Sequence, residues 1–292
     1  MLIDIPSGFL PPEAPHNVKS EIIDFMSTDP AIPEYEDSFA AIIDNFMTED
    51  ECNELLALAV TPSSDNPNIS STEDGPWERA MINTGNEEQA MATEFRNCGR
   101  MIFESPELAD RLLTRLMPFF KQWEMTNLRG QLNVTGLSGR KNEYTLSRLN
   151  EQLRFLKYVG GEYFRPHYDG EYRTPDGSEV SFFTIHLYLN GEGEDGQDLK
   201  EVLKRKELED KNEVFKIAAG EENGKGKLLG GATSFMGSWV NNDKAVRVWP
   251  KTGRVLVFQQ SDLLHSGDSV YSGTKFTVRT DVMYKKTPWS QT

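Results

Sequence analysis

Four of the 292 residues are histidine, and two of them stand where a metal site could be built. His167 and Asp169 lie two positions apart in FRPHYDGEY. On an extended strand that spacing turns both side chains to one face, so an imidazole and a carboxylate could bind one cation together. His265, 98 residues further on in SDLLHSG, is the candidate second imidazole. Two histidines and one carboxylate occupy one face of an octahedron and leave three positions for substrate and oxygen, the donor set that favours iron(II). Taken alone, the H-x-D pair fits equally well a loop histidine hydrogen-bonded to Asp169. His186, in FTIHLYL, reads as a satisfied histidine inside a barrel, and His16, in a proline-rich stretch, carries no functional expectation.

These residues need strands to position them. From about residue 150 the chain runs through LRFLKYV, FFTIHLYLN, GGATSFM, AVRVWP, RVLVFQQ and KFTVRTDVMYK, short β-rich runs separated by glycine and charge. That spacing predicts an all-β sandwich or barrel. Further upstream, AAIIDNF reads as a strand. Thr48 through Glu51 forms a capping-box pattern that opens a helix through Leu55, Leu56 and Leu58. Ser105-Pro106-Glu107 starts a second helix, with Leu108, Leu112, Leu113 and Leu116 at core-facing spacing. Residues 1–38, rich in proline and acid, read as an extension lying on the surface or partly disordered. Residues 61–76 read as a polar loop. A charged insert at 191–229 predicts a solvated helix, either a tolerated insertion or a lid beside the site.

Composition narrows the function classes. The formal net charge is −15, from 46 acidic and 31 basic residues, which disfavours nucleic acid and acidic lipid as partners. No apolar run is long enough to cross a membrane. The first residues lack the basic and apolar regions of a secretory signal. Cys52 and Cys98 give neither a disulfide framework nor a zinc pattern, so a cytoplasmic location is the expectation.

Across residues 150–285, LRFLKYVGGEYFRPHYDGEYR, the GGATSF strand and LVFQQSDLLHSGDSVYSGTKF together resemble the prolyl 4-hydroxylase-like branch of the 2-oxoglutarate and iron(II)-dependent oxygenases. The resemblance implies a mainly β chain with flanking helices around a double-stranded β-helix core, a distorted jelly roll of the cupin-like kind. It implies an extension over 1–38 and one oxygenase domain over 39–292. That domain would hold a helical part (39–130) and a β core (about 131–288) carrying the insert. It implies His167, Asp169 and His265 as metal ligands and catalytic centre, with Fe(II), 2-oxoglutarate and O2 as cofactors. Lys275, ten residues past His265, would meet the far carboxylate of 2-oxoglutarate, with Tyr158 and Thr233 as further contacts.

Strand alternation puts Lys275, Thr277 and Arg279 on one face. Arg279 would then share that carboxylate or face an acidic substrate, and if buried it needs a carboxylate partner. A solvated strand end is the other reading, and Arg173 is similarly either substrate-facing or merely exposed.

The implied reaction couples oxidative decarboxylation of 2-oxoglutarate, giving succinate and CO2, to oxidation of an unactivated C–H bond. The outcome would be hydroxylation, desaturation or cyclisation; because Asp169 is present, halogenation is disfavoured. A small amino-acid-like or natural-product substrate is expected, with a protein residue as the alternative. Two further alternatives are a non-catalytic cupin-like metal-binding protein and a cupin-type oxygen-using enzyme without 2-oxoglutarate.

Overall fold

The computed structural model describes residues 5–61, 76–85, 88–210, 226–239 and 244–288. Strand β1 (Lys19–Ile22) pairs with β2 (Ala40–Asp44), and helix α1 (Glu49–Val60) follows. Next come the short strands β3 (Glu78–Arg79), β4 (Ile82–Gly85), β5 (Glu88–Ala90) and β6 (Arg96–Asn97), then β7 (Gly99–Glu104) and helix α2 (Pro106–Gln122). The one-turn α3 (Leu132–Thr135) leads to β8 (Asn142–Leu149), β9 (Gln152–Tyr158), β10 (Tyr163–His167) and β11 (Glu179–Tyr188). After α4 (Leu199–Asp210) follow β12 (Leu229–Gly230), β13 (Thr233–Met236), β14 (Ala245–Val248) and β15 (Val255–Gln259). The last three are β16 (His265–Gly267), β17 (Val270–Ser272) and β18 (Lys275–Pro288).

Two antiparallel sheets dominate. The larger runs β1-β2-β15-β11-β18-β9-β7-β3, with β8 also on β18, and the smaller runs β14-β13-β16-β10-β6. From β9 onward the chain crosses repeatedly between them: β9 large, β10 small, β11 large, β13 and β14 small, β15 large, β16 small, β18 large. That alternate winding is the double-stranded β-helix, and the predicted strands all lie within it.

Helices α1 and α2 back the large sheet. Thr48 accepts from the Glu51 backbone while Glu51 accepts from the Thr48 backbone, so the capping box forms as its sequence requires. Ser105 caps α2, whose Leu112 and Leu116 pack with Ile185, Leu187, Val255 and Val257 on the outer sheet face. Each such side chain stabilises the fold by about 1.5–3 kcal/mol when fully buried. A second apolar cluster lies between the sheets, where Tyr188, Leu256 and Phe258 meet Phe235 and Val248.

Residues 5–38 differ from the surface extension their composition predicts. Ile5, Phe9 and Leu10 are buried with the α2 leucines, and Phe25, Ile32 and Tyr35 with the inter-sheet cluster. Pro6 and Phe9 carbonyls accept from Arg111, and the Pro11 carbonyl accepts from the buried Arg115. These apolar residues follow no helical or strand period, so pattern reading misses them.

The insert helix is α4, and it is not free in solvent on every side. Val202 packs with Ala232, Trp249 and Tyr271, and Glu209 accepts from Arg165, Ser269 and Tyr271. It therefore covers the outer face of the small sheet. Residues 211–225 of the insert and most of the expected polar loop, 62–75, lie outside the described residues.

Candidate metal centre

The end of β10 and the start of β16 are neighbours in the small sheet, and His167 stands in register with His265. A shift in register between Phe164 and His167 bends β10 here, and the strand ends at His167. Asp169 lies just past the end of the strand, yet the alternation persists: Tyr168 between them is exposed, and Asp169 converges with His167 as the spacing predicts. His167 Nε2 and Asp169 Oδ1 are 3.8 Å apart, as are His265 Nε2 and Asp169 Oδ2. One ligand atom from each of the three residues lies within 4.8 Å of the others. Two imidazoles and a carboxylate with this convergence suit one first-row divalent metal and leave one side of it open.

Neighbours fix the orientation of each donor. His167 Nδ1 bonds to the Arg165 carbonyl at 2.8 Å and His265 Nδ1 to the Leu263 carbonyl at 2.9 Å, so both rings direct Nε2 to the common centre. The Phe164 ring stacks on His167 at 3.6 Å, while Phe258 meets His265 edge-on at 4.7 Å. Asp169 Oδ2 accepts from Thr184 at 2.7 Å and faces Arg279 at 3.1 Å, so Oδ1 has the freer lone pairs.

The electrostatics favour a metal over a proton. Burial, then the charge on His265, pushes the His167 imidazole down to about 3, and burial lowers His265 too, although Asp169 opposes it. Burial raises the Asp169 carboxyl, but Arg279, the two imidazoles and Thr184 outweigh it and hold it well below the usual carboxylate range. Near neutral pH the site therefore offers two neutral imidazoles and one carboxylate, all ready to ligate.

Of the other residues singled out from sequence, Tyr158, Lys275 and Arg279 lie along the inner face of the large sheet. Lys275 pairs in register with Tyr158, and its ammonium lies 5.0 Å from the Tyr158 ring and 5.5 Å from that of Tyr188. It is 1% exposed, burial pushes it down to about 8, and no carboxylate among the described residues pairs with it. Gly231, at φ +73°, makes room for it: a Cβ there would lie 3.1 Å from Lys275 Cδ and 3.0 Å from Val270. Thr233 accepts a 2.7 Å hydrogen bond from the Tyr188 hydroxyl, so it reaches this wall through Tyr188. Arg279 does have the carboxylates its burial demands, Asp169 and Asp281, the latter at 3.3 Å. Arg173 is exposed and paired with Glu171, and nothing brings it to the metal residues.

Sequence reading missed the place of two residues here, His186 and Tyr188. His186 is not satisfied, contrary to expectation: its Nε2 is buried without a hydrogen-bond partner, as are Thr277 Oγ1 and Arg279 Nε. Burial, then Lys275 and Arg279, drives the His186 imidazole well below its usual range, so it is neutral. Tyr188 is the second, and the period-2 alternation with Thr184 and His186 would have found it. Tyr188 stands opposite Thr277, and His186 opposite Arg279, on the strand that carries Lys275. A dicarboxylate lying from the metal to Lys275 would meet these unpaired polar atoms, so the residues fit an acidic chelating co-substrate.

No family model and no curated protein matches the sequence. Among solved structures, the chain is similar to a viral collagen prolyl hydroxylase from Paramecium Bursaria Chlorella virus-1 in complex with 2OG. The identity is 16%, the TM-score 0.42, and 84% of this chain and 96% of that one are covered. It is also similar to a prolyl-4-hydroxylase of Pseudomonas putida at 13% identity and TM-score 0.44, covering 87% and 97% of the two chains. A third similar structure is a Trichoplax adhaerens prolyl hydroxylase in complex with a hypoxia inducible factor peptide fragment, at 13% identity and TM-score 0.42, covering 91% and 83%.

Proposed function

We propose that this chain is an iron(II) and 2-oxoglutarate-dependent oxygenase that oxidises an unactivated C–H bond of a small amino-acid-like or natural-product substrate. One juxtaposition carries this reading. Three ligand atoms from His167, Asp169 and His265 converge within 4.8 Å, and on the adjoining inner wall a buried Lys275 has no carboxylate partner among the described residues. A protein that only stores metal has no use for that ammonium, and neither does an oxygen-using enzyme without a dicarboxylate co-substrate. When bound, the iron supplies the oxygen chemistry and 2-oxoglutarate its two electrons, leaving as succinate and CO2.

The chain's own side chains do the rest. His167, Asp169 and His265 hold one face of the metal. Lys275 anchors the far carboxylate of 2-oxoglutarate in a pocket walled by Tyr158 and Tyr188, with the Thr277 hydroxyl available to it. Thr184 and Arg279 hold Asp169 Oδ2 and so keep the carboxylate in one orientation. Arg279, committed to Asp169 and Asp281, belongs with the metal rather than with Lys275.

The test is aerobic incubation with Fe(II) and 2-oxoglutarate, reading succinate by mass spectrometry. The expected result is slow succinate formation, abolished in His265→Ala together with stoichiometric iron. Bound iron with no succinate would return the chain to the metal-binding class. A metabolite-extract screen then reads the primary product as a mass change of about +16 for hydroxylation or −2 for desaturation or cyclisation. Activity confined to a peptide library would instead make it a protein hydroxylase.

A further inference from the structure

The inner wall on the β9 side of the metal residues is lined by arginine, in a protein whose net charge is −15. Arg154 and Arg279 are direct register partners on β9 and β18. Arg100 on β7 lies opposite Leu156, one rung along, on the same face as Arg154. Arg96 on β6 lies opposite Phe164 with its guanidinium carbon 4.5 Å from that ring, the ring that stacks on His167. The four therefore form an arc from the His167 flank of the centre to the Asp169 flank.

Their partners are unequal. Arg154 and Arg279 share the buried Asp281, at 2.9 Å and 3.3 Å, and Arg279 also faces Asp169. Arg96 and Arg100 make no ion pair among the described residues. The Arg96 η-nitrogen reaches only the Met81 carbonyl at 3.4 Å, and its Nε is buried without a partner. Arg100 reaches the Gln89 side chain at 3.2 Å. Glu78 stands across the strand from Arg100 but outside ion-pair distance. Burial, then repulsion from Arg96 and Arg154, lowers the Arg100 guanidinium. Like charges held together beside a partly buried wall destabilise a fold unless an anion completes them, and a planar guanidinium matches an oxyanion in two-point fashion.

We propose that Arg96 and Arg100 bind an oxyanion, carboxylate or phosphate, of the primary substrate, so that the small molecule oxidised at this centre is acidic. This rests on the oxygenase reading above. Lys275 already accounts for the far carboxylate of 2-oxoglutarate, so the arginine arc is a second anion requirement and not the same one.

The experiment uses the whole protein with Fe(II) and 2-oxoglutarate under argon, watched through the visible charge-transfer absorption of the iron–2-oxoglutarate complex. If that band never forms, the oxygenase reading fails before this proposal is reached. Once it forms, the probes are free and N-acylated amino acids, hydroxy acids and phosphate monoesters, each beside its neutral amide or ester. Acids are expected to shift the band and neutral counterparts are not. The carboxylate and phosphate arms tell which oxyanion is read. Arg100→Gln should raise the half-saturating concentration of a hit at least tenfold and Arg100→Lys by less. In the unaltered protein, half-saturation should rise with NaCl, a measurement that needs no variant to fold. Equal responses to acids and amides, no response to any acid, a salt-independent hit, or an Arg100→Gln protein that binds the acid unchanged would each overturn the proposal.

Discussion

At Lys275 an ammonium is buried without an ion-pair partner among the described residues, the more distant Asp268 only partly offsetting the burial, and that has an energetic signature. Its pKa falls from 10.5 to about 8 on burial, so at pH 7 the charged form opposes folding of the ligand-free protein by about 3 kcal/mol. Lys275→Met is therefore expected to raise the melting temperature of the ligand-free protein while weakening 2-oxoglutarate binding by a hundredfold or more. Calorimetry and ligand titration on the same preparation check both halves. The sign of the pH dependence follows. Above about pH 8 the free site loses its proton, so the ligand-free fold gains stability as pH rises from there toward 10.5, while 2-oxoglutarate affinity falls. Binding should draw up to one proton from solution at pH 8.5–9, about a unit above the free-site value. Titration in two buffers of different ionisation enthalpy measures that uptake, and none would mean that a cation other than Lys275 holds the co-substrate.

At the scale of elements, much of this arrangement is legible in the sequence, and the losses have physical causes. Alternation along KFTVRTDVMYK places Lys275, Thr277 and Arg279 on one face, as observed, and the two helix caps form where their residues require. The H-x-D spacing points to the right pair, because the alternation carries one residue pair beyond the end of β10, with Tyr168 exposed between His167 and Asp169. Arg96, Arg100 and Arg154 gave no signal, since their convergence depends on the registers of β6, β7 and β9, which one sequence does not specify. The GG of GGATSF is legible once the backbone is known: Gly230 is at φ +81°, where a Cβ would lie 2.4 Å from the Ser269 carbonyl, and a Cβ at Gly231 would crowd Lys275. Gly231→Ala should thus strain the turn by about 1 kcal/mol and displace the ammonium. The expected result is weaker 2-oxoglutarate binding with the iron stoichiometry kept.

Over the whole molecule, the N-terminal segment supports the metal centre from a distance. The Tyr35 hydroxyl donates to the Met236 carbonyl at 2.6 Å and accepts from the Leu264 amide at 2.9 Å, next to His265. Tyr35→Phe leaves both backbone groups unpaired in a buried place, a loss of about 1–3 kcal/mol. It should lower the unfolding midpoint in urea and weaken iron binding, with 2-oxoglutarate affinity of the iron-loaded protein much less affected. Unchanged iron affinity would show that the His265 ring is held by its own strand alone.

The position of β18 has a consequence for synthesis on the ribosome. Residues 275–288 form the middle of the large sheet, bonded to β11 on one side and to β9 and β8 on the other. A nascent chain that has delivered every metal ligand but not yet these residues has no closed sheet, no buried Lys275 and two long unpaired strand edges. It must wait in that state, with β9 and β11 separated by the gap their common neighbour will fill. Among the described elements the strand that joins the parts is thus the last to be made, and holding aggregation off until then falls to chaperones or to the speed of elongation.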